Sequence, residues 1–330
     1  SVRRVDDHLR VTAQLIDAVA DRHVWAERYD RDAAAVSEVL DEVVRQVVSG
    51  VDVAFGAPER RRNPRRGGAS TEAHDLLLRG LDRFHRFTAD DVREAIDLLR
   101  TAVNADPAFV DTRAWLARML VYGAISGGED EPDRAIVAAV EAARAARAID
   151  PADPHAQAVL GWALLWQGRT DDAVQHTAAA AAREPNFADG HLWHAMTLAS
   201  LGSGEEARRA VERGMRLNPH FSVTYLHAMA LAEFARGDFA EAMLLSERCH
   251  RRSPGFAPGQ LLRAVLLLRL GPHADAVEAA ALATAMNAST RRRLSRFFAE
   301  PRLRAVYGAF LREAGLLDGA EPSDTDHPGG

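Results

Sequence analysis

The chain has 330 residues and a mass of 36.0 kDa; 47% are hydrophobic, 27% charged and only 6% aromatic, a composition that supports a packed core and excludes wholesale disorder. All 41 basic residues are arginine, which removes the chemistries that need an ε-amine: Schiff-base catalysis, the Gly-Lys-Ser/Thr phosphate loop and kinase-type phosphoryl transfer. A net charge of −6 argues against a nucleic-acid binder, and the lone Cys249 excludes an internal disulfide framework and any Cys-x-x-Cys site.

From the N-terminus, Val2–Val5 and the alternation of Leu9, Val11, Ala13 and Leu15 with Arg10, Thr12 and Gln14 predict a hairpin turning at Asp6-Asp7. His23–Tyr29 reads as a third strand, and Val36, Val39, Leu40, Val43, Val44 and Val47 fall at helical spacing. Three strands and a helix are too little for an independent core, so residues 1–55 read as the end of an α/β domain. The chain opens on Ser1 rather than methionine, and further sequence upstream is expected. Residues 56–71 have two prolines and five arginines without hydrophobic periodicity, which reads as a linker.

Beyond the linker everything is helical, and it repeats. Prolines that end helical runs stand at 107, 151, 185, 219 and 254, with spacings of 44, 34, 34 and 35 residues. Twelve residues before each lies an alanine: Ala95, Ala139, Ala173, Ala207 and Ala242, with Ala276 continuing the series. Twelve further back stand Gly161, Ala195, Ala230 and Ala264, and Gly168, Gly202, Gly237 and Gly271 precede the alanines by five. Such a period reads as pairs of antiparallel helices that meet at small residues, turn at a left-handed glycine and stop at a proline. Two less regular units come first. In one the interval from Gly80 to Ala95 is three residues longer than twelve; the other carries a ten-residue insertion at Gly123–Pro132. Residues 291–317, with Phe297, Phe298 and Tyr307, are expected to form capping helices, and residues 318–330 a disordered tail.

These features resemble tetratricopeptide repeats, best at Leu160-Gly161-Trp162, Gly168-Arg169, Asp172-Ala173 and Pro185. Six such units would fill residues 72–290, about two-thirds of the chain. The resemblance implies a mainly α fold, an α-solenoid preceded by a partial α/β segment. A second resemblance rests on Ser1-Val2-Arg3-Arg4, Arg10–Ala18 and Trp25-Ala26-Glu27-Arg28-Tyr29-Asp30, which look like the end of a TolB-like domain. That domain joined to a tetratricopeptide array is similar to the C-terminal half of bacterial class III adenylate/guanylate cyclases. The departures are Asp6-Asp7 and Ala20-Asp21 where glycine-bearing turns are usual, and no cyclase catalytic motif is present.

Candidate chemistry is sparse. His191 and His194 share a helix face at metal-ligand spacing, but no third ligand is near and packing is the simpler reading. Cys249 stands where the second helix of its unit needs a small apolar residue. The arginines at 60–62, 65 and 66 and the acidic run Glu129-Asp130-Glu131 read as solvated segments. No apolar run approaches the roughly 18–20 residues of a membrane span.

The sharper expectation concerns the concave groove that the first helix of each unit lines. Register places Phe84, Arg118, Tyr122, His155, Trp162, Trp166, Leu192, Met196, His227, Leu231, Phe234 and Arg269 there as partner-binding residues, with His74, Leu77 and Leu81 at its start. With no lysine and scattered arginines and histidines, this surface does not suit a clamp for a C-terminal carboxylate, and an apolar or amphipathic segment fits better. The expected function is therefore a cytoplasmic, non-catalytic scaffold with no cofactor and no metal. It would bind a protein or peptide segment, or an upstream domain of its own polypeptide, as the regulatory half of a nucleotide cyclase; the alternative is the sensor half of a winged-helix transcription regulator.

Overall fold

The computed structural model describes residues 2–5, 8–17, 22–32, 70–84, 88–126, 129, 131–219, 221–270 and 288–313. They belong to two compact units, Ser1–Gly68 and Ala69–Gly330. In the first, β1 (Val2–Val5), β2 (His8–Asp17) and β3 (Arg22–Asp32) form an antiparallel sheet in that order. Val2 pairs with Val11 and Val11 with Tyr29, and the β2–β3 register shifts between Leu15 and Ile16. The helix expected over Val36–Val47 and the arginines at 60–62, 65 and 66 lie outside the described residues.

The second unit is a tetratricopeptide-like α-solenoid. Its helices come in pairs: α1 (Thr71–Phe84) with α2 (Ala89–Ala105), and α3 (Val110–Ser126) with α4 (Pro132–Ile149). Then follow α5 (Pro154–Trp166) with α6 (Thr170–Arg183), α7 (Ala188–Ser200) with α8 (Gly204–Leu217), and α9 (Val223–Arg236) with α10 (Phe239–Arg252). α11 (Ala257–Leu270) opens a sixth unit, whose expected second helix falls in residues outside the description. Two further helices close the described chain, α12 (Ala288–Ser295) and α13 (Pro301–Glu313).

The repeat lattice has the physical causes its residues suggest. Gly168, Gly202 and Gly237 adopt φ of 84°, 81° and 82°, the left-handed region where a Cβ is strained. Behind them the N–H groups of Arg169, Ser203 and Asp238 donate to the carbonyls of Leu164, Leu198 and Glu233 at 2.9, 2.9 and 3.0 Å, so last-turn acceptors are satisfied. Each terminating proline sits two residues past its helix. There the N–H groups of Phe109, Asp153, Phe187, Phe221 and Phe256 close turns onto the residue before the proline. The alanines at 95, 139, 173, 207 and 242 are fully buried where the two helices of a pair cross. At Gly161 the approach is closest: a Cβ there would lie 2.6 Å from Thr177 Cγ2, 2.9 Å from Thr177 N and 3.0 Å from Ala173 O.

The ten-residue insertion starts later than expected, because α3 continues through Gly123 to Ser126. Gly123 is a packing position: a Cβ there would stand 3.1 Å from Ile96 Cδ1 and 2.8 Å from Glu129 Cγ. Glycine reads as a helix breaker in sequence, but the same residue also serves where a neighbour leaves no room.

First helices and second helices have different surroundings. α3, α5, α7, α9 and α11 pack on one another in succession, whereas the contacts between successive second helices are minor among the described residues. The first helices therefore form the inner layer, and α5 is buried around its whole girth from Val159 to Trp166. The second helices are amphipathic; α8 buries only Gly204, Ala207, Val211 and Gly214. The inner layer also closes on itself, since α11 meets α3.

Candidate functional site

The inner layer positions the residues that register assigned to the groove. Tyr122 from α3, Trp162 and Trp166 from α5, Met196 from α7, and His227 and Leu231 from α9 line one cavity together with Ile125, Thr224, Phe256 and Pro258. Phe84 packs its ring 4.8 Å from Tyr122, and Phe234 lies at the end of the same ridge. Phe84, Arg118, Tyr122, Trp162, Trp166, Leu192, Met196, His227, Leu231 and Phe234 are all buried; His155 is half-buried and Arg269 exposed.

Two causes remove this face from solvent. The first is the closure of the inner layer. Tyr122 meets Trp162 at 4.9 Å between ring centroids, and Trp162 stacks on Trp193 at 5.8 Å, with 13° between the planes. The second is the segment named above as a cap. Its described part, α12, α13 and the residues between, lies against the inner ridge. Leu294, Phe297 and Tyr307 complete the wall of the cavity. Phe297 lies 5.6 Å from the Trp166 ring, and Phe298 stacks on Phe234 at 5.2 Å and 25°. Tyr307 meets Phe234 edge-on at 5.6 Å. What is left is a space of about 20 Å³ open to a water's centre, room for about one water. Around it Trp162 Nε1, Trp166 Nε1 and His227 Nδ1 have no hydrogen-bond partner among the described residues.

Polar contacts fix the segment. Arg293 Nη1 donates to the Trp166 carbonyl at 2.8 Å, and the guanidinium also pairs with Asp133. Ser200 Oγ donates to the Phe297 carbonyl at 2.6 Å, while the N–H groups of Ala299 and Glu300 donate to the Ser200 carbonyl at 2.9 and 3.1 Å. Trp166 and Ser200 are the last residues of α5 and α7, so the segment supplies donors to carbonyls that a helix C-terminus leaves unpaired. The contact partners Trp166 and Ser200 hold equivalent positions 34 residues apart, and Phe234 stands one residue before the matching position of the next unit, Ala235.

Next to the cavity stands a buried charged group. Arg118 Nη1 donates to Asp189 Oδ2 at 2.7 Å, joining α3 to α7, and Tyr225 Oη from α9 donates to Asp189 Oδ1 at 2.7 Å. The guanidinium lies 4.6 Å from the Trp115 ring and 5.0 Å from Trp193. Burial opposes both charges, yet the pairing wins: Arg118, with the bonds from Tyr225 and its own, holds Asp189 below the usual carboxylate range, and Asp189 raises Arg118. Burial pushes His155 down to about 3, helped by the charge of Arg118, and burial alone lowers His227 to about 3, so both imidazoles are neutral. Arg118 thus acts as an internal brace between units within the inner layer.

The other candidates are occupied. His191 Nε2 lies 3.0 Å from the Pro185 carbonyl and His194 Nδ1 3.1 Å from Thr177 Oγ1. Among the described residues no group of three or more His, Cys, Asp or Glu is placed to hold a metal ion, and no helix is long and apolar enough to cross a membrane. Burial raises the Cys249 thiol to about 12, far from a reactive thiolate. Sequence reasoning missed Trp193, Asp189, Ser200 and Thr224. It also missed the aromatic two residues past the proline at Phe109, Phe187, Phe221 and Phe256, a recurrence that was visible in the chain. Phe187 and Phe256 each fill the notch at a glycine of the following helix: a Cβ on Gly190 or Gly259 would stand 2.8 and 3.0 Å from their rings.

Comparison with known proteins gives one curated relative and a set of solved folds. The chain is 33% identical over 173 residues to "Putative adenylate cyclase 3" of Rhizobium meliloti (strain 1021), a match that takes in 52% of this chain. The match spans 30% of that relative's length. Among solved structures, a thermophilic TPR protein of Thermus thermophilus is 19% identical, with a TM-score of 0.47, covering 59% of this chain and 99% of that one. Pseudomonas aeruginosa PilF is likewise 19% identical, with a TM-score of 0.41, covering 75% of this chain and all of its own. No family model matches the sequence. By repeat length, turn geometry and helix pairing, the described array is similar to tetratricopeptide repeats.

Proposed function

We propose that the array is a non-catalytic protein–protein interaction module whose inner face takes an apolar helix or peptide, and that it serves as the cytoplasmic regulatory part of a bacterial nucleotide cyclase. The observation that carries the cyclase reading is the 33% identity over 173 residues with the Rhizobium protein. The docking reading draws support from the ridge of Tyr122, Trp162, Trp166 and Phe234, which concentrates aromatic surface on the inner layer of a chain otherwise poor in it. A stack of preformed helices, once residues 294–307 are displaced from it, presents such a surface with little ordering of its own helices.

The test mixes the purified chain with the part of the Rhizobium relative outside the match, following binding by calorimetry and cyclic nucleotide formation by chromatography. Binding in the micromolar range with a changed rate of product formation is expected, and the chain alone is expected to form none. Absence of binding heat together with an unchanged rate would refute the cyclase reading.

A further inference from the structure

The strongest unexplained feature is that the inner face already has an occupant, supplied by the chain itself. We propose that residues 291–313 are a tethered competitor for the docking surface, and that the partner it excludes is a protein segment with two adjacent aromatic side chains on non-helical backbone, preceded by a basic residue. This rests on the reading of the inner face as a docking surface and adds how that surface is regulated and what it recognises.

Three kinds of contact define the recognition, one at the last turn of each of three successive inner helices. At Trp166 a guanidinium meets the helix-terminal carbonyl and a phenyl ring meets the indole. At Ser200 the contacts are to main-chain atoms only: the carbonyl of Phe297 and the N–H groups of Ala299 and Glu300. At Phe234 the contact is ring on ring, from Phe298 and Tyr307. Main-chain hydrogen bonds are available to any segment whose backbone groups are free there, so the sequence requirement reduces to the rings and the positive charge. A foreign segment carrying those groups can make the same contacts.

The built-in occupant leaves polar atoms of the inner face for another occupant to engage. It leaves a space of about 20 Å³, room for about one water, beside Phe297 and Leu294. Two indole N–H groups and His227 Nδ1 around that space have no protein partner among the described residues, nor does Arg293 Nε at the segment's start. Unpaired buried polar groups cost free energy, and an occupant that brings an acceptor to them recovers it. What the tethered segment lacks in fit it gains in proximity, since a covalently attached ligand competes at an effective concentration of about millimolar.

The test uses the full chain and a dye-labelled synthetic peptide of residues 291–313 as the probe, read by fluorescence anisotropy. Wild type should bind the probe weakly because its own segment is in place. The variant Phe297→Ala/Phe298→Ala, its helix content checked by circular dichroism, should bind the same probe at least tenfold more tightly. Should the double variant fail to fold, Arg293→Ala, which loosens only the start of the segment, must shift affinity in the same direction. A probe carrying alanine at both phenylalanine positions should not bind the opened variant. Equal, tight binding by wild type and folded variants would overturn the tethered competition while leaving the docking surface intact. Binding by neither would overturn both.

Discussion

Gly161→Ala isolates the helix approach that sets the repeat. The new Cβ would stand 2.6 Å from Thr177 Cγ2, 2.9 Å from Thr177 N and 3.0 Å from Ala173 O. Two of those atoms are backbone, so relief requires α5 and α6 to move apart. Overpacking of this kind costs about 1–3 kcal/mol, and alanine returns about 1 kcal/mol of helix propensity, leaving a net loss of about 1 kcal/mol. For a unit of this size that loss lowers Tm by roughly 2–4 °C, read by circular dichroism on heating. Thr177→Ala removes the closest atom, so the double variant Gly161→Ala/Thr177→Ala should lose less than the sum of the singles, whereas independent sites would add. An unchanged or raised Tm for Gly161→Ala would refute the close approach, because propensity alone would then be acting. Ala195→Gly at the equivalent place of the next unit supplies the contrast: no overpacking is relieved there, and about 1 kcal/mol should be lost.

Two further outcomes are expected. Arg118→Ala leaves the partly buried Asp189 without its cation and should cost about 1.5–3 kcal/mol in urea denaturation, whereas Arg118→Met/Asp189→Leu, which removes both charges, should cost less. Lowering the pH from 7 to 5 should destabilise the array. His227 takes a proton near its ordinary pKa of 6.5 when unfolded but only near 3 when folded, so the unfolded state gains protons as pH falls, worth about 2 kcal/mol at pH 5. His227→Leu should remove that part of the slope in a pH series of melting curves. Asp189, whose folded pKa lies below the usual carboxylate range, acts only at more acidic pH and does not confuse the comparison.

The features legible in the chain are those governed by local steric rules. A left-handed turn selects glycine at 168, 202 and 237, a helix crossing selects alanine or glycine, and proline cannot continue a helix; each rule writes itself at a fixed spacing. Register along the inner helices likewise places Tyr122, Trp162, Trp166, Met196, His227 and Leu231 side by side, and the structure gathers these six around one cavity. What the spacing does not encode is how tightly the superhelix winds. Arg118 and Asp189 are 71 residues apart, and the Ser200–Phe297 bond spans 97. Nothing local in either sequence neighbourhood announces its partner. The same holds for Trp162, which register alone cannot tell from a solvent-facing anchor: its burial depends on Trp193 in the next unit and Tyr122 in the one before.

The crossing segment also changes how the array comes apart. A stack in which each unit touches only its neighbours can fray from either end, losing one pair of helices while the rest persist. Here Arg293 and Phe297 brace the middle of the stack, through bonds that reach back 127 and 97 positions to Trp166 and Ser200. Loosening the C-terminal end therefore withdraws support from the third, fourth and fifth units at once. A row of separable pieces becomes a cross-braced frame, and its melting should sharpen toward a single cooperative step.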